Sequence, residues 1–132
     1  MAATIPDNFK DLTRKVAFAH LATLMPDGRP QVSPVWFDLD GDHFRINSAK
    51  GRVKDKNMRR NKKVALSIQD PENGYRHMDV QGEIIEITES GADEHINSLA
   101  KKYLNKDVYP FRAAGEVRVI YKIRPDKIAT MG

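Results

Sequence analysis

The sequence has no cysteine among its 132 residues. A chain without thiols has no disulfide scaffold, no cysteine nucleophile and no cysteine-ligated metal site, and this composition is typical of a reducing compartment. The N-terminal segment carries neither the basic stretch nor the apolar run of a signal peptide. No apolar run approaches the ~20 residues that a transmembrane helix requires. We therefore expect a cytoplasmic protein with no membrane partner.

Motifs for catalysis by side chains are also missing. The four histidines lack the spacing of metal ligands, and no serine lies in a Gly-x-Ser-x-Gly context. The glycine-rich fingerprints of dinucleotide-binding folds and P-loops are absent as well. We therefore predict no catalytic side chain and no metal site. If the protein is an enzyme, a bound cofactor supplies its reactive chemistry.

The bulk composition is that of one folded domain. With 132 residues and a hydrophobic fraction of 40%, the chain is predicted to form a single domain over residues 1–132. The formal net charge of +4 favours anionic partners. Nucleic acid, phosphorylated cofactors and acidic metabolites all satisfy that condition.

Hydrophobic alternation and turn residues predict six strands, joined largely by hairpins. These strands cover residues 16–25, 30–39, 43–48, 63–69, 75–87 and 115–124. Gly82, inside the fifth strand, predicts a bulge or bend. Apolar residues at helical spacing after Ser90 predict one substantial helix, with Ser90 and Asp93 as its capping pair. The pattern indicates a mainly β domain, a small antiparallel barrel with accessory helices.

The strongest functional signal is a basic segment. Eight of the chain's 22 lysines and arginines lie between positions 50 and 63, where Asp55 is the one acid. The segment runs from a predicted strand end through a turn at Gly51 into a helix that begins near Val53. This order directs backbone N–H groups and cationic side chains at one point, which is how proteins hold phosphate. A solvated basic helix is the alternative that charge alone leaves open.

Short motifs in a fixed order cover the chain from about residue 18 to residue 87. They are Leu21-Ala22-Thr23, Asp27-Gly28-Arg29-Pro30-Gln31, Ser33-Pro34-Val35-Trp36-Phe37, Asn47-Ser48, Arg52-x-Lys54, Asn57-Met58-Arg59-Arg60-Asn61, Val64-Ala65-Leu66, Asp70-Pro71 and Val80-Gln81-Gly82. In this combination they resemble the pyridoxamine-phosphate-oxidase-like superfamily of flavin-binding split barrels. Within it, the sequence is most similar to the reductases that depend on the deazaflavin coenzyme F420. The resemblance implies a six-stranded antiparallel split β-barrel that forms a homodimer, with two cofactor sites between the subunits.

The resemblance also implies a set of cofactor-binding residues. In the family, the Arg-x-Lys motif, here Arg52 and Lys54, grips the cofactor phosphate. The strand at 33–36 runs beneath the tricyclic ring, and residues 47–48 close the ribityl side. Lys50 belongs to a cationic surround, with Lys56, Arg59 and Arg60, that suits the carboxylate-rich tail of a deazaflavin. The expected cofactor-binding residues are Ser33, Pro34, Val35, Trp36, Asn47, Ser48, Lys50, Arg52 and Lys54.

The sequence departs from true pyridoxamine phosphate oxidases at identifiable positions. Ser33 stands where those enzymes carry an arginine, and no Arg-x-His segment follows Lys122. His77 stands where flavin-binding oxidases carry a glutamine. We therefore do not expect vitamin synthesis.

These observations lead to one main functional prediction and three alternatives. The main prediction is an oxidoreductase that transfers hydride between reduced F420 and a small unsaturated or conjugated substrate. The first alternative keeps the fold and uses FMN. The others are a non-catalytic cofactor carrier and a basic barrel that stacks bases of nucleic acid on its aromatic residues, although the main prediction includes no nucleic-acid partner.

Overall fold

A single antiparallel sheet of seven strands organises the computed structural model, which describes residues 2–132. The strands are β1 (Ala19–Leu24), β2 (Pro30–Val35), β3 (Phe37–Asp40), β4 (His43–Ala49), β5 (Lys63–Asp70), β6 (Asn73–Thr88) and β7 (Arg118–Met131). A 3-10 helix precedes the sheet at Asp7–Thr13, helix α1 (Val53–Arg60) joins β4 to β5, and helix α2 (Ala92–Leu104) follows β6. No helix within residues 2–132 is long and apolar enough to cross a membrane.

The sheet curls until its two ends meet. Its strand order is β2-β1-β5-β6-β7-β4-β3, and the end strands β2 and β3 are separated in the chain by Trp36 alone. The predicted mainly β split-barrel fold is therefore confirmed. The structure has seven strands where the sequence predicted six, because residues 30–39 pair first with β1 and, beyond Trp36, with β4.

Two long strands, β6 and β7, pair in the middle of the sheet and bend together. The register between them shifts at Gln81/Gly82, as expected from Gly82. A Cβ atom on Gly82 would lie 2.7 Å from the carbonyl oxygen of Arg124. Only glycine allows so close a backbone approach, and the bend that results lets the sheet close.

The barrel interior is apolar and completely covered. Phe37, Phe44, Leu66, Met78 and Tyr121 are each 2% exposed or less and belong to one contiguous cluster. Burial of such side chains stabilises the fold by roughly 1.5–3 kcal/mol each.

The turn before α1 is anchored to this interior by one buried acid. The Asp55 carboxylate accepts hydrogen bonds from the Gly51 N–H at 2.8 Å, from the Tyr121 hydroxyl at 2.5 Å and from Arg59 Nε at 2.9 Å. Gly51 itself has a φ of 92°, a conformation that favours glycine. The backbone that carries Arg52 and Lys54 is thereby held in place.

The predicted helix in the second half of the chain is present as α2, but its predicted cap is wrong. Gly91, with a φ of 75°, is the N-cap residue, and no side chain caps the helix. The Ser90 N–H donates instead to Thr88 Oγ1 at 3.1 Å. Ser90 stands one residue too early because the left-handed Gly91 lies between it and the first helical turn.

Candidate functional site

A cavity of about 160 Å³ opens where β2, β4, α1 and β7 come together. Its wall includes most of the residues that the sequence predicted for cofactor binding: Pro34, Val35, Trp36, Asn47, Ser48, Arg52 and Lys54. The structure thus brings the segment 34–36 together with the segment 47–54, which begins more than ten residues later in the chain. The remaining lining residues are Phe18, Ile96, Tyr109, Phe111 and Arg118.

Ser33 and Lys50 lie outside this wall. The Ser33 hydroxyl is buried without a hydrogen-bond partner among residues 2–132. Lys50 Nζ forms an ion pair with Glu89 Oε2 at 3.0 Å, and both side chains are about half exposed. Their binding roles remain predictions.

One end of the cavity carries three cations, Arg52, Lys54 and Arg118, which we call the cationic cluster. Among residues 2–132, the one acid in contact with it is Glu116, whose carboxylate lies 3.3 Å from Arg52 Nη2 and 3.0 Å from Arg118 Nη1. With three positive charges against one negative charge, the cluster leaves a net positive charge at the wall. Such a surface attracts an anion that brings several acceptor oxygens.

Lys54 is the least compensated member of the cluster. Within residues 2–132 its ammonium has neither an ion-pair nor a hydrogen-bond partner. Partial burial, followed by the nearby charges of Arg52 and Arg118, lowers the pKa of Lys54. A partly buried cation of this kind is stabilised when an anion binds beside it.

Ser48 adds an unsatisfied hydroxyl to the same wall. Its Oγ atom is buried and has no partner in the described part of the chain. Helix α1 starts next to it without a side-chain cap, so its first N–H groups also lack intrahelical acceptors. The hydroxyl, the helix start and the cationic cluster supply donors suited to a phosphate.

Aromatic residues form the adjoining end of the cavity wall, where the Tyr109 ring lies 5.0 Å from the Arg118 guanidinium. Trp36 stacks on Tyr103 with ring centroids 5.2 Å apart, and its other contact is the edge of Tyr109 at 5.9 Å. Phe111 continues the wall from Tyr109 at 5.8 Å, and Phe18 meets Tyr103 at 5.5 Å. The arrangement offers apolar ring surface beside a cationic end, which suits a ligand with a planar ring and an anionic tail.

Tyr103 holds this aromatic end to the barrel. Its hydroxyl donates to the Ala17 carbonyl oxygen at 2.6 Å and accepts from the Phe37 N–H at 3.2 Å. Burial raises the pKa of Tyr103 to about 12. The group therefore stays neutral and positions Trp36 rather than exchanging protons.

The cofactor-binding residues expected from the sequence include neither Arg118 nor the aromatic residues of the loop between α2 and β7. The alternation of residues 115–124 predicts Arg118 only as part of a strand. The sequence contains a signal that could indicate a buried role for Arg118, because this arginine stands at the start of a strand whose next residues are buried. Its position opposite Ala49 depends on the pairing of β4 with β7, which local patterns do not specify.

Two other basic residues of α1, Arg59 and Arg60, have partners elsewhere. Arg59 is bound to Asp55, while Arg60 Nη1 donates to Asn57 Oδ1 at 3.1 Å and to the Leu24 carbonyl oxygen at 3.3 Å. Neither lines the cavity. For residues 2–132, no group of three His, Cys, Asp or Glu side chains is arranged to hold a metal ion.

Comparison with known proteins gives a family match over almost the whole chain. The family model for pyridoxamine 5'-phosphate oxidase matches residues 5–132. A search of curated proteins finds no match. The chain is similar to a solved structure named F420 reductase, with 32% identity, a TM-score of 0.85, and coverage of 95% of this chain and 98% of the other.

More distant structures share the fold. A conserved hypothetical protein from Mycobacterium tuberculosis has 19% identity and a TM-score of 0.74, with 98% of this chain and 86% of the other covered. General Stress Protein 26 from Bacillus anthracis has 16% identity and a TM-score of 0.70, with coverages of 95% and 92%.

Proposed function

The chain belongs to the pyridoxamine 5'-phosphate oxidase family, and from that premise we propose that it is an oxidoreductase with a phosphate-bearing cofactor of the flavin type in the cavity beside α1. The preferred cofactor is F420. The substrate is a small unsaturated or conjugated molecule.

The observation that carries this proposal is the uncompensated charge of the cavity. Lys54 has no anionic partner within residues 2–132, and the Ser48 hydroxyl beside it is buried and unpaired. Burial of unpaired polar groups is unfavourable unless a ligand satisfies them. A phosphate group has the charge and the acceptor oxygens to do so.

The ring of the cofactor fits the other end of the cavity. The backbone at 34–36 includes the last two residues of β2 and the break at Trp36 before β3, and Pro34 has no N–H. A planar ring against this segment meets Trp36 on one side and leaves its second face open to a substrate. When bound, the cofactor supplies the hydride chemistry, while the protein orients both molecules and the balancing proton comes from solvent.

We propose F420 in preference to FMN because the solved structure named F420 reductase is similar over nearly the full length of both chains. The exposed basic residues around α1 also suit the carboxylates of a deazaflavin tail. FMN is the alternative, since the cationic cluster recognises phosphate and both cofactors carry it.

A second copy of the chain completes the proposed site. A cavity of about 160 Å³ is smaller than the ~300–1,000 Å³ of ordinary ligand pockets. Exposed apolar side chains also border the opening, with Phe18 44% and Phe111 65% exposed. A homodimer with the cofactor between subunits would cover both the ligand and these side chains.

The test is a fluorescence titration of purified protein with F420 and with FMN. Arg52→Ala and Lys54→Ala should each weaken binding of the preferred cofactor by about 1–3 kcal/mol, the value of a charge-assisted phosphate contact. Arg29→Ala is the matched control, because Arg29 is exposed and pairs with Asp27 in the β1–β2 turn. Failure of both cofactors to bind at micromolar concentration would refute the proposal, and binding without turnover of reduced cofactor would favour a carrier.

A further inference from the structure

Arg118 is a buried arginine whose donors are only partly used. It is 4% exposed, and its guanidinium lies 5.0 Å from the centroid of the Tyr109 ring. Nε donates to Asn47 Oδ1 at 2.9 Å, and Nη1 pairs with Glu116 Oε2 at 3.0 Å. Within residues 2–132, Nη2 has no partner. Because a guanidinium has five N–H donors, this side chain has donors left for an acceptor in the cavity that it lines.

The side-chain amide of Asn47 has one permitted orientation. Oδ1 must accept from Arg118 Nε, which is always a donor. On the other side, Nδ2 donates to the Ala92 carbonyl oxygen at 2.9 Å. A flipped amide would place donor against donor and acceptor against acceptor. Asn47 therefore holds Arg118 in a fixed direction.

The fixed amide also determines the state of His95. Asn47 Nδ2 lies 3.1 Å from His95 Nδ1, and this distance requires a lone pair on Nδ1. His95 Nε2 lies 3.0 Å from Asp38 Oδ1, so the ring proton is on Nε2. Asp38 is in turn held by two hydrogen bonds from Arg45, at 3.0 and 2.8 Å. A continuous hydrogen-bonded chain thus leads from β3 to the cavity.

We propose that Arg118 is an anion-binding residue of the cavity and that the chain Asp38–His95–Asn47 is its positioning device, with His95 neutral and protonated on Nε2. The proposal deepens the proposed function by adding a phosphate ligand from β7 to those of α1. It rests on that function only for the identity of the molecule that carries the phosphate.

The first experiment uses inorganic phosphate, which needs no assumption about the cofactor. Phosphate is titrated into ¹⁵N-labelled protein, and the Nε–H signal of Arg118 is followed by NMR. We expect this signal to shift with saturation. Arg118→Met should weaken phosphate binding at least about fivefold, in line with loss of a charge-assisted hydrogen bond, whereas Arg29→Met should leave it unchanged.

If the Arg118 signal of the original protein does not respond to phosphate, the proposal is overturned. This measurement does not depend on whether the Arg118→Met variant folds. Equal phosphate affinity in the folded Arg118→Met variant and the original protein would do the same. The outcome for the proposed function is separate. Phosphate binding at Arg118 without binding of F420 or FMN would refute the cofactor assignment and leave this inference standing.

The second experiment tests positioning by a double-mutant cycle. His95→Leu removes both ring contacts and should weaken phosphate binding about threefold or more, and His95→Gln, which keeps one donor and one acceptor, should recover part of the loss. The pair His95→Leu with Arg118→Met should bind no more weakly than Arg118→Met alone, because His95 acts through Arg118. Additive losses would refute the positioning role. Ring ¹⁵N shifts that place the proton on Nδ1 would refute the assigned tautomer.

Discussion

Two polar clusters of this protein differ in how their charges are balanced. The first, which we call the clasp, consists of Asp11, Lys15, Asp70 and Arg76 and joins the 3-10 helix to β5 and β6. Its two cations face two carboxylates, with Arg76 bound to Asp11 at 2.7 Å and to Asp70 at 2.8 Å. Lys15 lies 3.1 Å from Asp70 and also 3.7 Å from the carboxylate of Glu72, whose side chain is 77% exposed.

The cationic cluster of the cavity has the opposite character. Two of its three cations, Arg52 and Arg118, pair with the carboxylate of Glu116, and the third, Lys54, has no partner in residues 2–132. A balanced set of charges satisfies itself and holds segments of the fold together. An unbalanced set is unfavourable for the protein alone, and we propose that this one marks a binding site for a charged ligand. The comparison separates charges that stabilise the fold from charges to which we assign a binding role.

Removal of the central cation of the clasp should give the largest loss of stability. Arg76→Met leaves two neighbouring carboxylates without their main partner and removes the guanidinium that lies 4.6 Å from the centre of the Phe9 ring. We expect the midpoint of thermal unfolding to fall by several degrees, because an uncompensated acid at a poorly exposed site is strongly unfavourable. Circular dichroism measures the effect.

The same variant should bind phosphate normally at temperatures where it is folded. Arg124→Met provides the control, since Arg124 also bonds two acids but both are partly exposed. If Arg124→Met lowered the unfolding midpoint as much as Arg76→Met, the clasp would stabilise the protein no more than a partly exposed set of ion pairs does.

The clasp and the cavity also differ in how far the sequence predicted them. Hydrophobic alternation is sufficient to predict most strands because the barrel has a distinct inner face. Arg52 and Lys54 can also be predicted, because they lie two positions apart in a recognisable motif. The contacts of Arg76 with Asp11 and of Asn47 with Arg118 join residues 65 and 71 positions apart. Such pairs depend on strand register and sheet order. The register follows from packing of the whole barrel rather than from any local pattern.

Removal of an unbalanced cation should affect binding rather than stability. Lys54→Met is expected to weaken phosphate binding by about 1–3 kcal/mol while leaving the unfolding midpoint unchanged or slightly higher, because it relieves repulsion from Arg52 and Arg118. Titration calorimetry and thermal unfolding of the same samples test both statements.

Lys102 offers a matched control for Lys54. Burial also lowers the pKa of Lys102, to about 8, but its ammonium donates to the carbonyl oxygens of Thr13 at 3.0 Å and Phe37 at 2.8 Å. Lys102→Met should therefore lower the unfolding midpoint and leave phosphate binding unchanged. The opposite pattern in the two variants would invalidate the distinction between structural and functional charges.

Acid should weaken the clasp. The hydrogen bonds from Arg76 lower the pKa of Asp11 to about 2, and the backbone N–H of Glu72 together with Arg76 lowers that of Asp70. An aspartate with a lowered pKa in the folded state stabilises the protein above its unfolded-state value near 4, and this contribution is lost as the pH falls towards 2.

The unfolding midpoint should therefore decrease between about pH 4 and pH 2. In Asp11→Asn the midpoint at neutral pH should be lower and its decrease in acid smaller. Equal pH dependence of the variant and the original protein would show that other carboxylates determine acid stability.

The smallest effect is expected at Lys50, which belongs to the basic segment but lies outside the cavity wall. Its ion pair with Glu89 joins two side chains that are 54% and 52% exposed, and exposed pairs contribute about 0–1 kcal/mol. Lys50→Met should therefore change phosphate affinity by less than about twofold and stability by less than about 1 kcal/mol. Titration with phosphate and then with F420 distinguishes two roles for this residue. A loss seen with F420 alone would place Lys50 against the carboxylate tail, whereas a loss seen with phosphate would extend the cationic cluster to a fourth member.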